Sequence, residues 1–196
     1  CSSDLSELLG TSVSMSREGD IIAIGSPGYA RTTVSGFTLT TSNVGKTSVY
    51  RYRDNVWGLM GNAIEDGTID KRNGYSISLS SDGNSIVVGS QSGGGVRVYN
   101  FRSDNWKPIG SHISGTFGKS VSLSGNTVVI GSEDENNGRV HIYNLIDGDW
   151  SRVGLTFEKI IVAEGGTNNM GKNVNITSDG TLICVTSQND IRIYTI

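Results

Sequence analysis

Apolar and polar residues alternate in four short stretches of the chain, and each stretch follows a glycine. The stretches begin at Gly10, Gly74, Gly118 and Gly171 and read GTSVSMS, GYSISLS, GKSVSLS and GKNVNIT. Alternation with a period of two is typical of a β-strand. The alternating polar positions hold only serine or asparagine, so we expect these strands to lie in a crowded place, innermost where several sheets converge. Four copies of one phrase indicate a repeat architecture.

Three more predicted strands follow each of the first three phrases, and two follow the fourth. A short turn leads to a run that is apolar at consecutive positions, as expected for a strand buried on both faces. The turns contain Asp82 and Gly83 in the second copy and Asp179 and Gly180 in the fourth, residue types that suit a tight hairpin. A third run ends in tyrosine, and a fourth begins at a tryptophan that is followed four residues later by glycine. The tyrosines are Tyr52, Tyr99, Tyr143 and Tyr194, and the tryptophans are Trp57, Trp106 and Trp150.

Four antiparallel strands per repeat are typical of a propeller blade. The sequence therefore predicts an all-β fold, a single β-propeller domain over residues 1–196 with about four blades. The blades fall approximately at residues 10–66, 74–115, 118–157 and 171–196. The last blade is incomplete in this chain, because Ile196 stands at the end of its third strand.

Closure of the ring has three interpretations. Residues 1–9 are a possible closing segment, in which the part near Leu5 to Leu9 pairs with the final strand. Alternatively the chain is a segment of a larger propeller, or its bare edge recruits another chain. We expect a compact four-bladed disc, because the phrase occurs four times and four is the lower end of the known blade range.

Composition excludes some classes of partner. The net charge is −3 at pH 7 and the 16 Lys and Arg residues are scattered along the chain, so no nucleic acid is expected. No apolar stretch approaches the roughly 20 residues of a membrane span. Two cysteines cannot form a disulfide framework. We expect Cys184 to be a small buried thiol, whereas Cys1 is a processed lipoprotein cysteine, a disulfide partner of Cys184 or incidental.

The repeat resembles a known family. The run G-x-S-V-S-L-S-x-D-G-N, followed by G-S, V-x-V-Y and W-x-x-x-G-x-x-I, is similar to the FG-GAP-type β-propeller repeats, relatives of the integrin α-subunit repeats. The similarity covers nearly the whole chain and is cleanest from Gly74 to Gly115. It implies a structural protein used for adhesion or recognition, extracellular or at the cell surface. Calcium-binding members carry D-x-D-x-D-G loops, and none occurs here, so the resemblance supports no calcium or other cofactor.

Candidate catalytic and metal-binding groups are few. The only histidines, His112 and His141, occupy different places in the repeat and suggest neither a metal-binding pair nor a Ser-His-Asp arrangement. No G-x-S-x-G nucleophile motif stands between a strand and a helix. The run Glu133, Asp134 and Glu135 offers oxygen ligands, but we expect a solvated loop without a metal. The sequence therefore predicts a protein that is not an enzyme.

Insertions indicate where a partner binds. In a four-stranded meander, the loop between strands two and three and the connection to the next blade open on one rim. That rim consists of residues 27–46, 65–73, 133–138 and 158–170, and it includes the apolar Phe37 and Leu39 as well as the acidic run. We expect a recognition or assembly module that binds a protein partner, or associates with itself, through this rim. The alternatives are a carbohydrate-binding propeller that stacks sugars on its tryptophans and a hydrolase that uses rim carboxylates.

Overall fold

The computed structural model describes residues 7–35, 38–65, 72–91, 93–115, 118–133, 138–153, 161–162, 170–188 and 190–196. Within these ranges the chain contains strands and no helix, which confirms the all-β prediction, and hence no helix that could cross a membrane. The strands are β1 (Ser12–Met15), β2 (Ile21–Ser26), β3 (Ala30–Ser35), β4 (Thr38–Asn43), β5 (Lys46–Arg53), β6 (Val56–Leu59), β7 (Asn73–Leu79), β8 (Ser85–Ser90), β9 (Val96–Arg102), β10 (Asn105–Pro108), β11 (Ser120–Ser124), β12 (Thr127–Ser132), β13 (Arg139–Ile146), β14 (Asp149–Arg152), β15 (Ile161–Val162), β16 (Asn173–Ile176), β17 (Leu182–Thr186) and β18 (Ile191–Thr195).

The strands form one antiparallel sheet for each copy of the phrase. Sheet I has the order β1-β2-β5-β6, sheet II β7-β8-β9-β10, sheet III β11-β12-β13-β14 and sheet IV β16-β17-β18. Strands β3 and β4 form a separate hairpin between the second and third strands of sheet I, and β15 pairs with the outer part of β13. Sheets I to III are therefore four-stranded meanders, and sheet IV has three strands in the described residues.

Tight turns join the first two strands of each sheet. In sheet II, Gly83 has a φ of +69°, and the Asp82 carboxylate accepts hydrogen bonds from Ser80 Oγ and from the Asn84 backbone amide. Partial burial opposes ionisation of Asp82, but these hydrogen bonds outweigh it and lower the pKa. In sheet IV, Gly180 has a φ of +75°, and hydrogen bonds from Thr177 and then Thr181 lower the pKa of Asp179.

Three apolar layers lie between successive sheets. In the layer between sheets I and II, Ile21 and Ala23 pack against the side that carries Ile77, Ile86 and Val88. The next layer joins sheets II and III, and the third joins sheets III and IV. Because consecutive residues of β8 point to opposite layers, the strand is buried on both faces, in agreement with its uninterrupted apolar sequence.

The inner strands β1, β7, β11 and β16 lie side by side, one from each sheet, and serine side chains of the first three accept hydrogen bonds from the strand that follows. Ser14 Oγ accepts from the Leu79 amide at 2.9 Å. In the same way, Ser78 accepts from the Leu123 amide at 3.1 Å, and Ser122 accepts from the Ile176 amide at 3.1 Å. A hydroxyl one carbon from the backbone reaches the neighbouring strand without separating the two sheets, which accounts for the small side chains.

Glycine pairs bring the sheets into contact beside these serines. Gly131, at the end of the second strand of sheet III, lies against Gly171, the phrase glycine of sheet IV, so closely that a Cβ on Gly131 would overlap the Gly171 carbonyl. Gly25 with Gly74 and Gly89 with Gly118 repeat this arrangement. Backbone therefore packs directly on backbone at each of the three junctions.

The register of β5 differs from the sequence alignment. We predicted that Tyr52 occupies the place of Tyr99 in its sheet. In the structure Tyr50, not Tyr52, pairs with Ile22 as Tyr99 pairs with Ile86. A shift of two residues keeps every side chain on the same face of a strand, so alternation alone did not distinguish the two alignments.

The described N-terminal residues, 7–9, do not pair with the last strand. The Glu7 carbonyl accepts from the Gly28 amide at 2.9 Å, and the Glu7 carboxylate lies 3.5 Å from Lys46 Nζ, so this segment is held on sheet I. Among the described residues, β18 pairs with β17 alone. The predicted pairing of a segment near Leu5 to Leu9 with the last strand is therefore wrong for residues 7–9, and Leu5 lies outside the described ranges.

Candidate interaction surfaces

The first candidate surface is the predicted loop rim, which lies at one end of the sheets. Gly45, after the β3–β4 hairpin, bridges to Asn73 at the start of sheet II, and Gly138 bridges to Met170 in the same way between sheets III and IV. The loops between second and third strands thus meet the connections between sheets. The base of the hairpin is narrow, because the amides of Val44 and Gly45 both donate to the Tyr29 carbonyl at 3.0 Å.

Charged groups line the described part of this rim. Lys46 Nζ lies 4.0 Å from the centre of the Tyr29 ring, and Arg31 Nη1 lies 3.4 Å from Glu65 Oε2. The first is a cation–π contact and the second an ion pair that is open to water, and such an ion pair contributes little to stability, about 0–1 kcal/mol. The described part of the rim therefore has mixed charge and no strong bias of one sign.

The structure describes only part of the predicted rim site. Glu133 is half-buried and lies 3.6 Å from Lys119 Nζ, whereas Asp134 and Glu135 are outside the described residues. Phe37 is also outside them, and for Leu39 only the backbone is described, paired with Val34. In the described part of the chain, no three His, Cys, Asp or Glu side chains converge as metal ligands would.

The three tryptophans have different environments. Trp106 is buried, and its indole Nε1 donates to the Met60 carbonyl of sheet I at 2.8 Å. Trp150 Nε1 donates to the Ile109 carbonyl of sheet II at 2.8 Å. Trp57 is 44% exposed, with its ring 5.2 Å from that of Tyr52, and its indole N–H has no acceptor among the described residues. Two of the three proposed sugar platforms are thus held between sheets.

A polar clip beside the tryptophans was missed by the sequence analysis. Asp149 Oδ1 accepts from the amides of Ser111 in sheet II, at 2.6 Å, and of Trp150, at 2.8 Å. These two hydrogen bonds, that from Ser111 first, lower the pKa of Asp149. Asn105 makes the same pair of bonds one sheet earlier. The signal was a polar side chain directly before tryptophan, in the dipeptides Asn-Trp and Asp-Trp.

A polar pocket of about 550 Å³ lies where the four inner strands converge. Equivalent positions of the four sheets contribute Thr11, Tyr75, Lys119 and Lys172 to its wall. Cys184, a free thiol, lines the same pocket. The prediction that Cys184 is buried is only partly right, since it is half-exposed while its equivalents in sheets I to III are covered by the following sheet.

In the described residues, the four sheets form an arc, and no other sheet covers the outer face of sheet I or of sheet IV. At one end, the open face of sheet I consists of Val13, Met15, Ile22, Ile24, Tyr50, Tyr52 and Trp57. Val13 is 63% exposed, whereas its equivalent Ile77 in sheet II is 8% exposed. At the other end, the open face of sheet IV consists of Leu182, Cys184, Thr186, Ile191 and Ile193. At each end, side chains are thus exposed at repeat positions that are buried in the inner sheets.

Comparisons with known proteins support the fold and do not extend to function. No protein-family model matches the chain, and no curated protein matches it. The chain is similar to a solved candidate 6-phosphogluconolactonase from Bacteroides uniformis, with 14% identity, a TM-score of 0.61 and coverage of 94% of this chain and 49% of that one. It is also similar to a chain of the mitotic checkpoint complex, with 15% identity, a TM-score of 0.56 and coverage of 93% and 46%.

These likenesses show the fold alone. The chain spans about half the length of the solved chains that it matches. The resemblance to FG-GAP-type repeats stays a prediction from the residues.

Proposed function

We propose that the four sheets are blades of a β-propeller and that the protein is a non-catalytic recognition or assembly module, which binds a protein partner through its loop rim. Support for the propeller comes from the repeated junctions, in which each sheet packs on the next around a common pocket. The similarity to solved chains of about twice this length is consistent with an arc of blades.

The β3–β4 hairpin is the observation that carries the rim assignment. The loop that joins the second and third strands takes only residues 91–95 in sheet II and 133–138 in sheet III. Sheet I uses a hairpin of two six-residue strands at the same place. The side chains described in that hairpin are half-buried or exposed, so it adds nothing visible to the apolar layers. A surface insertion whose described side chains stay outside the core is a common place for a binding element.

The other functions considered have weaker support. Trp106 is buried and Trp150 is half-buried, and both indoles are hydrogen-bonded between sheets, so neither presents an open ring face as a sugar platform does. For a hydrolase, the described residues single out no pair of carboxylates. We therefore retain protein recognition as the proposal.

Excision of the hairpin tests this proposal. Residues 30–43 are replaced by two glycines. This short link can span the gap, because the hydrogen bonds from the Val44 and Gly45 amides to the Tyr29 carbonyl hold the two ends of the hairpin together. A photo-crosslinking residue at position 31 first captures the partner, which is then purified. We expect the excision to raise the dissociation constant of the partner complex at least tenfold. The thermal unfolding midpoint should stay within a few degrees of that of the unmodified chain.

The matched control changes the opposite end of the sheets. Asp54→Asn and Asp104→Asn remove charge from two turns there and keep a residue type that tolerates the positive φ of 50° and 55°. Partner affinity should not change in this control. Unchanged affinity in the excision variant, or equal loss in the control, would contradict binding through the rim.

A further inference from the structure

The open face of sheet I resembles one half of a junction. The side chains on this face are exposed, although the equivalent side chains of the following sheets are buried. Met15 is 57% exposed, while its equivalents Leu79 and Leu123 are 6% and 5% exposed. A contiguous apolar sheet face of this kind marks a contact surface. The three junctions inside the chain show what normally covers it.

Three kinds of contact recur at every internal junction, and a fourth occurs at two of them. Apolar columns pack on the preceding sheet, and a phrase glycine packs on a glycine at the end of that sheet's second strand. A serine of the preceding inner strand accepts from a backbone amide, as Ser14 does from Leu79. In two of the junctions, a tryptophan also donates to a carbonyl just after the preceding fourth strand, as Trp106 does to Met60.

Sheet I has the groups that would make all four kinds of contact with a preceding sheet. Its phrase glycine, Gly10, has a φ of +81° and nothing within 4 Å of the place where a Cβ would stand. The Met15 amide corresponds to the Leu79 amide that receives a serine hydroxyl. Trp57 corresponds to Trp106. Only the polar clip is absent, because Val56 stands where Asn105 accepts two hydrogen bonds.

Sheet IV lacks the matching side. Thr186 stands where the preceding sheets have glycine, and its Oγ1 accepts from the Asn173 amide at 3.1 Å. A side chain at this place occupies the space in which two backbones meet at the other junctions. Asn173 and Asn175 replace the serines, and the described sheet has no fourth strand to offer a carbonyl to Trp57.

We propose that the open face of sheet I docks a further, complete four-stranded sheet of the same repeat class, and not sheet IV of this chain or of a second copy. The occupant has glycine at the end of its second strand and serine on its first. It also offers a backbone carbonyl, in the place of the Met60 carbonyl, to Trp57. The ring is then larger than the four-bladed disc expected from the phrase count. Coverage of only 49% and 46% of two solved chains with this fold agrees with that size.

A chimera supplies such a sheet. A copy of residues 73–117, which comprise sheet II and its connection, replaces residues 1–9 directly ahead of Gly10. Because Gly10 and Gly118 are equivalent phrase glycines, the copy joins sheet I as sheet II joins sheet III. Tryptophan in the copy is changed to phenylalanine so that Trp57 remains a separate reporter. We expect exchange of the Trp57 indole N–H to slow at least tenfold and the unfolding midpoint to rise, since a repeat gains stability from each neighbour.

A matched variant carries Gly89→Thr in the copied segment and so reproduces the side chain of Thr186. This copy should leave Trp57 exchanging as in the unmodified chain. Equal protection by both copies, or protection by neither, would overturn the proposal. So would a stable dimer of the unmodified chain, measured by sedimentation, in which Trp57 is already protected, because a second copy would then be the occupant.

The inference rests on the blade stacking proposed above, but not on a partner at the rim. Failure of the hairpin excision leaves the chimera result unaffected. Failure of the chimera leaves open what binds the rim.

Discussion

Gly131→Ala is expected to destabilise the protein by about 3 kcal/mol or more, the upper range for overpacking a core. The alanine Cβ would overlap the carbonyl oxygen of Gly171 and crowd its other backbone atoms. No side-chain rotation relieves a clash with backbone, so sheets III and IV must separate, and the apolar layer between them must loosen. Urea unfolding followed by circular dichroism measures the change.

Gly58→Ala is the matched control. Gly58 is also a strand glycine without positive φ, but nothing lies within 4 Å of its Cβ position. Alanine is better than glycine inside a strand by roughly 0.5–1 kcal/mol, so this variant should be neutral or slightly more stable. If Gly131→Ala were as stable as Gly58→Ala, the close packing of sheet III on sheet IV would be disproved.

Ile130→Ala is expected to lower the free energy of unfolding by about 3 kcal/mol, whereas Ile24→Ala should lower it by under about 1 kcal/mol. The two isoleucines occupy the same position of the repeat, opposite Val121 in sheet III and Val13 in sheet I. Ile130 is completely buried in the layer between sheets II and III, and its truncation leaves a cavity. Ile24 is half-buried on the open face, where water fills the space left by the removed atoms.

Unfolding free energies of both variants, measured at one protein concentration, test this difference. The shared sequence position removes propensity and register as explanations. Equal losses would mean that sheet I is covered in solution as sheet III is. A small loss at Ile130 would contradict the layer itself.

Much of the fold could be predicted from the sequence, because each repeat carries its own signals. Alternation at Val121 and Leu123 identified an inner strand, and the apolar run of β12 identified a strand buried on both sides. The serine columns pointed to crowding near the centre of the arc. These signals are local, with a period of two, and four copies reinforced them.

Other features depend on contacts between distant parts of the chain. The place of Tyr50 in β5 depends on a register that alternation leaves open by two residues. The half-exposed Cys184 differs from buried Ala23 because, among the described residues, no sheet packs on that face of sheet IV. The clip at Asp149 required the position of Ser111, 38 residues away in the chain. Burial in a repeat protein is decided by the neighbouring repeat, which a single repeat sequence does not contain.

Hydrogen exchange at the three tryptophan indoles, followed by NMR, tests the central claim most directly. That claim is that each sheet packs on the next through one repeated face, which sheet I leaves open. The account predicts slow exchange for Trp106 and Trp150, which donate to the preceding sheet, and fast exchange for Trp57, assigned with a Trp57→Phe variant. Three equally protected indoles, or a freely exchanging Trp106, would contradict it.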